Sequence, residues 1–187
     1  MKRRHLLAAT LAVAAFTAAA QAPAPRVALE TSEGKIVVEL APQAAPKTVE
    51  NFLAYVKSGH YDGTVFHRVI PGFMVQGGGF TGDLKEKPTR GTIPLESRNG
   101  LKNERGTLAM ARRGDPDSAS AQFFINVVDN ANLDYPKPDG NGYAVFGKVV
   151  EGMNVVDKIR AAPTASRGPH QNVPVAPITI KTARIVK

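Results

Sequence analysis

The sequence has 187 residues, 43% hydrophobic and 21% charged, with 24 Lys plus Arg against 16 Asp plus Glu and no cysteine. That length holds one ordinary domain and is short for two, and recurrent runs rich in Val, Ile and Phe from Val27 onward exclude a disordered chain. The lack of cysteine removes disulfide scaffolds, thiolate metal sites and cysteine nucleophiles together, so any catalysis must use other groups.

Residues 1–20 read as a secretory leader. Lys2, Arg3 and Arg4 precede an uncharged stretch rich in Ala and Leu, Leu6 to Ala20, with small residues around Ala18, Ala20 and Ala22. This is the order of a charged, an apolar and a cleavage region. With cleavage after Ala20, residues 21–26 form a short linker and residues 27–187 the folded domain. Fifteen residues of helix reach about 22 Å, short of the roughly 30 Å hydrocarbon core, so stable membrane insertion is not expected. Arg3-Arg4 resembles a twin-arginine signal, but ordinary export signals also carry such pairs, and the route stays open. Export, most simply to a periplasm, takes three of the 24 basic residues and none of the 16 acidic, leaving a net charge of +5. The remaining Lys and Arg are scattered, without aromatic interleaving or zinc-finger spacing, so nucleic acid is not an expected partner.

Val27-Ala28-Leu29-Glu30-Thr31 and Lys35-Ile36-Val37-Val38-Glu39-Leu40 are strand-like runs joined by Ser32-Glu33-Gly34, which predicts a hairpin. After Pro46, the residues Val49, Phe52, Leu53 and Val56 fall at i, i+3, i+4 and i+7, which predicts a helix with one apolar face, stopped at Gly59. Short β-rich runs follow at Thr64 to Ile70, Phe73 to Gln76, Leu108 to Ala111, Gln122 to Asn126 and Ala144 to Val150, bounded by Gly, Pro, Asn or Asp. Met153 to Arg160 predicts a second short helix, with Val155, Val156 and Ile159 on one side, and Ile178 to Val186 a last strand. Asn130 to Gly142 and Ala161 to Pro177, rich in Pro, Asp, Asn and Gly, read as long surface loops.

About eight strands, with two helices that do not alternate with them, make a mainly β domain that is a closed barrel or a sandwich. A small-ligand barrel is disfavoured, since Phe, Ile, Val and Leu suffice to fill the interior. No sustained heptad or long apolar edge strand suggests assembly, so a monomer is expected.

Several catalytic motifs fail. Gly77-Gly78-Gly79-Phe80-Thr81-Gly82 satisfies G-x-G-x-x-G after a strand, but Pro88 and Pro94 follow without helical periodicity, so no helix N-terminus awaits a pyrophosphate. No Walker sequence, G-x-S-x-G elbow or H-E-x-x-H is present. His60 and His67 lack a nearby third ligand and read as structural histidines rather than metal ligands. Neither metal nor cofactor is expected.

What remains is polar residues on faces that should be apolar. Alternation in Val65-Phe66-His67-Arg68-Val69-Ile70 predicts Phe66, Arg68 and Ile70 on one face and Val65, His67 and Val69 on the other. In Gln122-Phe123-Phe124-Ile125-Asn126, filling the interior with Phe123 and Ile125 leaves Phe124 outside, beside Gln122, and Met74 with Gln76 repeats this pairing. An external apolar patch carrying a few fixed polar groups is how a small binding site is built. Each residue alone has an ordinary reading: Arg68 snorkelling, Phe124 under a loop, Gln76 solvated. The combination is what points to a site.

The run Phe66-His67-Arg68-Val69-Ile70-Pro71-Gly72-Phe73-Met74-Val75-Gln76-Gly77-Gly78 resembles the signature of cyclophilin-type peptidyl-prolyl cis-trans isomerases. Gly106 to Ala111, Ser120 to Ile125 and Val145 to Val149 extend the likeness in order, so that it covers Val27 to Val186 and is nearest to the exported bacterial members. It implies a closed eight-stranded antiparallel β-barrel capped by two α-helices. It further implies rotation of X-Pro bonds in unfolded or loosely structured chains, with Arg68 as catalytic arginine and Gln76 in the groove beside it, where the amide reads as a positioner of Arg68 or of the substrate carbonyl. Phe73, Met74, Phe124 and Leu133 would hold the proline ring, with Ala111, Arg112, Gln122 and Tyr143 completing the groove. Three positions depart from the family. Arg112 replaces a common Asn and is expected to add charge to the groove, Asn132 replaces a Trp or Phe, and Tyr143 replaces a His. Because the inhibitor cyclosporin contacts the Trp position in the family, weak cyclosporin binding is expected. The alternative is a chaperone or peptide-binding module whose role needs the groove but not turnover.

Overall fold

The computed structural model describes residues 23–187, so the leader read over residues 1–20 lies outside the described residues. The paired apolar runs form β1 (Arg26–Thr31) and β2 (Gly34–Leu40), and the i, i+3, i+4 stripe forms α1 (Pro46–Lys57). Next come β3 (Thr64–Ile70), β4 (Met74–Thr81), β5 (Thr107–Met110), β6 (Phe123–Asn126) and β7 (Val145–Glu151). The chain finishes with α2 (Met153–Arg160), β8 (Thr164–Arg167), β9 (His170–Pro174) and β10 (Thr179–Val186).

Eight strands close into an antiparallel barrel in the order β1-β10-β3-β4-β6-β5-β7-β2, which decides between barrel and sandwich. Closure leaves no edge among these strands. Inside, Phe52 of α1 packs against Tyr61, Phe123 and Phe146 at ring-centroid distances of 5.1, 5.5 and 5.2 Å. Val155, Val156 and Ile159 of α2 join the same core. The first turn of α1 has no side-chain cap at Ala45. Glu96, from the long loop after β4, substitutes: its carboxylate accepts from the Lys47 and Thr48 amides at 3.0 and 2.8 Å, which also suits the positive end of the helix. No helix among the described residues is long and apolar enough to cross a membrane.

Two expectations need correction. Ala161 to Pro177 is not simply a loop, because it contains the β8–β9 hairpin. Its prolines and glycine hid the strands from a pattern reading. Packing holds them, with Val173 buried and the His170 ring 5.1 Å from that of Phe80. The second concerns β3. Phe66 pairs with Gly77 but Arg68 pairs with Gln76, so one extra residue, His67, is accommodated between them. This bulge shifts the alternation by one. Phe66 therefore enters the core, as does Val69, while Arg68 and Ile70 face outward.

Candidate functional site

The wall formed by β3, β4, β6 and β5 separates two apolar clusters. Val69, Val75, Leu108, Phe123 and Ile125 point into the barrel core. Their sequence neighbours Met74, Ala109 and Phe124 point the other way and form a second cluster with Leu133 and Val145, flanked by Ile70, Phe73, Ala111 and Tyr143. Strict alternation on β4, β5 and β6 thus builds a greasy outer surface against a filled interior. The loop Asn130 to Gly142 covers it, contributing a short 3-10 turn, Ala131–Leu133, in which Leu133 is buried.

A cavity of about 200 Å³ opens between them. Phe73, Met74, Phe124, Leu133 and Tyr143 form its apolar side, while Arg68, Gln76, Ala111 and Arg112 line its rim. Gln122 lies instead in an adjoining cavity of about 300 Å³, which Gln76, Ala111 and Arg112 also line. The ten residues singled out from the sequence therefore gather around two connected hollows.

The polar groups form a short file. Arg68 donates through Nη1 to Gln76 Oε1 at 3.4 Å, and Gln76 Nε2 donates to Gln122 Oε1 at 3.0 Å. A guanidinium held by an amide at the lip of an apolar slot can donate to an electron-rich atom placed in that slot. The glycine triplet has a packing role here. It runs inside β4 rather than leading into a helix. Gly78 takes a left-handed φ of +85°. A Cβ on Gly79 would come within 2.6 Å of Gln122 Cδ, so Gly79 leaves the space that the Gln122 side chain occupies.

Arg112 departs from expectation. Its side chain is 2% exposed and its charge is turned into the covering loop rather than into the groove. Nη2 donates to both Asp139 carboxylate oxygens at 2.8 and 2.7 Å, Nε donates to the Gly142 carbonyl at 3.0 Å, and the guanidinium lies 4.5 Å from the Tyr143 ring centroid. The Arg112 guanidinium, by hydrogen bonding to Asp139, holds that carboxyl below the usual carboxylate range. Tyr143 in turn meets the Phe124 ring edge-on at 5.8 Å. Asp139 was not foreseen because ion-pair partners this far apart in sequence leave no spacing signal. Asn132 is exposed on the same loop.

Comparison with known proteins agrees with this architecture. The family model for cyclophilin type peptidyl-prolyl cis-trans isomerase/CLD matches residues 26–185. A peptidyl-prolyl cis-trans isomerase of Streptomyces antibioticus is 59% identical over 162 residues, covering 86% of this chain and 98% of the relative. Peptidyl-prolyl cis-trans isomerase A of Dickeya dadantii is 54% identical over 188 residues, covering 98% of both. Isomerase B of Escherichia coli is 51% identical over 161 residues, covering 85% of this chain and 98% of the relative. Among solved structures, a Cryptosporidium parvum cyclophilin type isomerase superposes with a TM-score of 0.73 at 28% identity, over 88% of this chain and 98% of that one. The same parasite enzyme crystallised in the presence of the dipeptide Ala-Pro gives a TM-score of 0.71 at 28% identity, over 87% and 99%. The chain belongs to the cyclophilin-type peptidyl-prolyl cis-trans isomerases. It is an enzyme that accelerates cis-trans rotation about X-Pro peptide bonds.

Proposed function

We propose that Arg68 carries the reaction, with the proline ring seated against Phe73, Met74, Phe124 and Leu133, and that the substrates are exported polypeptides still folding. The observation that carries this reading is the placement of the Arg68 guanidinium, tied to Gln76, on the rim of the apolar cavity. Amide resonance opposes rotation of an X-Pro bond with a barrier of about 18–20 kcal/mol. At the twisted transition state the conjugation is lost, and the prolyl nitrogen becomes pyramidal with a lone pair able to accept a hydrogen bond. A guanidinium aimed at that nitrogen binds the twisted state better than the planar one, which is the condition for lowering a barrier. The slot keeps the ring still while the acyl side turns and excludes water that would weaken the donor. No bond is made or broken, so the reaction requires neither nucleophile nor cofactor.

Export is supported by the leader-like order of residues 1–20 and by the Dickeya relative, whose match over 98% of the chain takes in part of that segment. In this reading the mature protein begins near Gln21 and works in the periplasm as a monomer on proline-containing chains. Cyclosporin binds weakly, because Asn132 offers no aromatic surface. The test is a protease-coupled assay on a short proline peptide. Arg68→Ala is expected to lose roughly a hundredfold or more in kcat/KM, as removal of one preorganised donor does, with an unchanged circular dichroism spectrum. Equal activity in parent and variant would remove Arg68 from the mechanism. If the groove alone mattered, Arg68→Ala would still suppress aggregation of a client and still rescue a deletion strain.

A further inference from the structure

The geometry points to three buried asparagines, Asn103, Asn126 and Asn130, as positioning residues that set the width of the proline pocket. None of them lines the cavity. They are 1%, 0% and 5% exposed, depths at which an amide left unpaired is costly. Each spends both of its side-chain N–H groups, and the bonds run head to tail. Asn130 Nδ2 donates to the Phe73 carbonyl at 2.8 Å and to Asn126 Oδ1 at 2.7 Å. Asn126 Nδ2 donates to Asn103 Oδ1 at 3.2 Å and to Thr107 Oγ1 at 2.9 Å. Asn103 Nδ2 donates to Asp134 Oδ1 at 3.1 Å and to the Tyr143 carbonyl at 3.4 Å.

The relay therefore begins on Phe73, one wall of the pocket, and ends on Tyr143, the other. Backbone bonds fix its joints: Leu133 N donates to the Asn130 carbonyl at 2.8 Å, and Tyr143 N donates to the Leu133 carbonyl at 2.9 Å. Asn126 stands opposite Met74 across the β4–β6 pair, two residues beyond Phe124 on the outward face. Three amides whose N–H groups are all paired, in one direction, specify one separation between the two walls, since a shift of either breaks a bond that water does not replace.

This inference rests on the seating of the proline ring between Phe73 and Leu133. Its test compares peptides carrying proline with peptides carrying the six-membered homologue, piperidine-2-carboxylate. One extra methylene in an apolar pocket is commonly discriminated by about 10- to 200-fold, so the parent enzyme is expected to prefer proline by at least about tenfold. Asn126→Asp keeps the shape but removes the donations to Asn103 and Thr107. It is expected to raise KM about fivefold and to reduce the ring preference to about threefold, the pocket having lost its fixed width. Asn103→Ser, which removes the bonds to Tyr143 and Asp134 together with the acceptor for Asn126 but introduces no carboxylate, serves as a second variant should Asn126→Asp not fold, and is expected to shift the preference in the same direction. A purely structural role would lower the melting temperature and the active fraction while leaving KM and the ring preference as in the parent. That outcome overturns the relay. Met74→Ala, at the pocket surface, separates the two readings: if it shifts the preference and the asparagine variants do not, only the relay falls, and if none of them shifts it, the seating of the ring falls as well.

Discussion

Gly79 shows how a residue without a side chain can place another. The file from Arg68 through Gln76 to Gln122 ends on an amide whose position depends on an empty space above β4. Gly79→Ala would fill that space and push Gln122 away, leaving Gln76 without its acceptor and free to turn from Arg68. We expect kcat/KM to fall about tenfold, roughly the 1.4 kcal/mol of one neutral hydrogen bond, with Arg68 itself intact. Combining Gly79→Ala with Gln122→Ala is expected to cost no more than Gln122→Ala alone, since both act on the same amide. Additive losses in that cycle would refute the positional role of Gly79. Arg112 makes the complementary point. A cation at the groove was legible in the sequence, but its direction was not, because Asp139 and Gly142 reach it only through the fold of the loop.

At the level of the element, the bulge in β3 is the decisive irregularity. Perfect alternation puts Arg68 on the same face as Phe66, which would bury a guanidinium in the core or expose a phenyl ring. One inserted residue resolves the conflict, sending Phe66 inward and Arg68 outward. Sequence patterning missed it because the run Thr64 to Ile70 reads as an unbroken strand and no glycine marks the bulge. His67 itself is buried at 5% exposure, its ring 4.6 Å from Phe80, and its Nδ1 has no hydrogen-bond partner among the described residues. Burial, aided by the positive fields of His170 and Arg68, pushes its pKa down to about 4. In the unfolded chain the imidazole titrates near its ordinary value of about 6.5. The unfolded state therefore takes up the proton first, and stability present above about pH 6.5 is lost as pH falls toward about 4. From about pH 7.5 to about pH 5 this linkage amounts to about 2 kcal/mol. His67→Phe is expected to remove that part of the pH dependence, measured by urea titration at the two pH values. An unchanged slope would mean that another group titrates.

Across the whole molecule, what the sequence disclosed and what it hid follow one division. The helices, the barrel strands and the outward placement of Phe124 were legible because each depends on a periodicity carried by its own residues. The β8–β9 hairpin, the Asp139 partner and the asparagine relay were not, because each is decided by groups brought together only when the barrel closes. The same closure couples the site to the fold. Every strand that presents a residue outward to the pocket also presents its neighbours inward to the core, as Val75 does beside Met74 and Ile125 beside Phe124. The covering loop is the pocket wall lying farthest from the barrel strands in sequence, and it is tied down at both ends, through Asn130 to Phe73 and through Arg112 to Asp139. The pocket should therefore not loosen before the barrel does. In urea, the loss of peptide isomerisation and the loss of the far-ultraviolet circular dichroism signal are expected to coincide in a single transition, as for a cooperative domain of this size. Activity vanishing at a clearly lower urea concentration would show the loop detaching on its own, and would mean that its ties are weaker than the core they are fastened to.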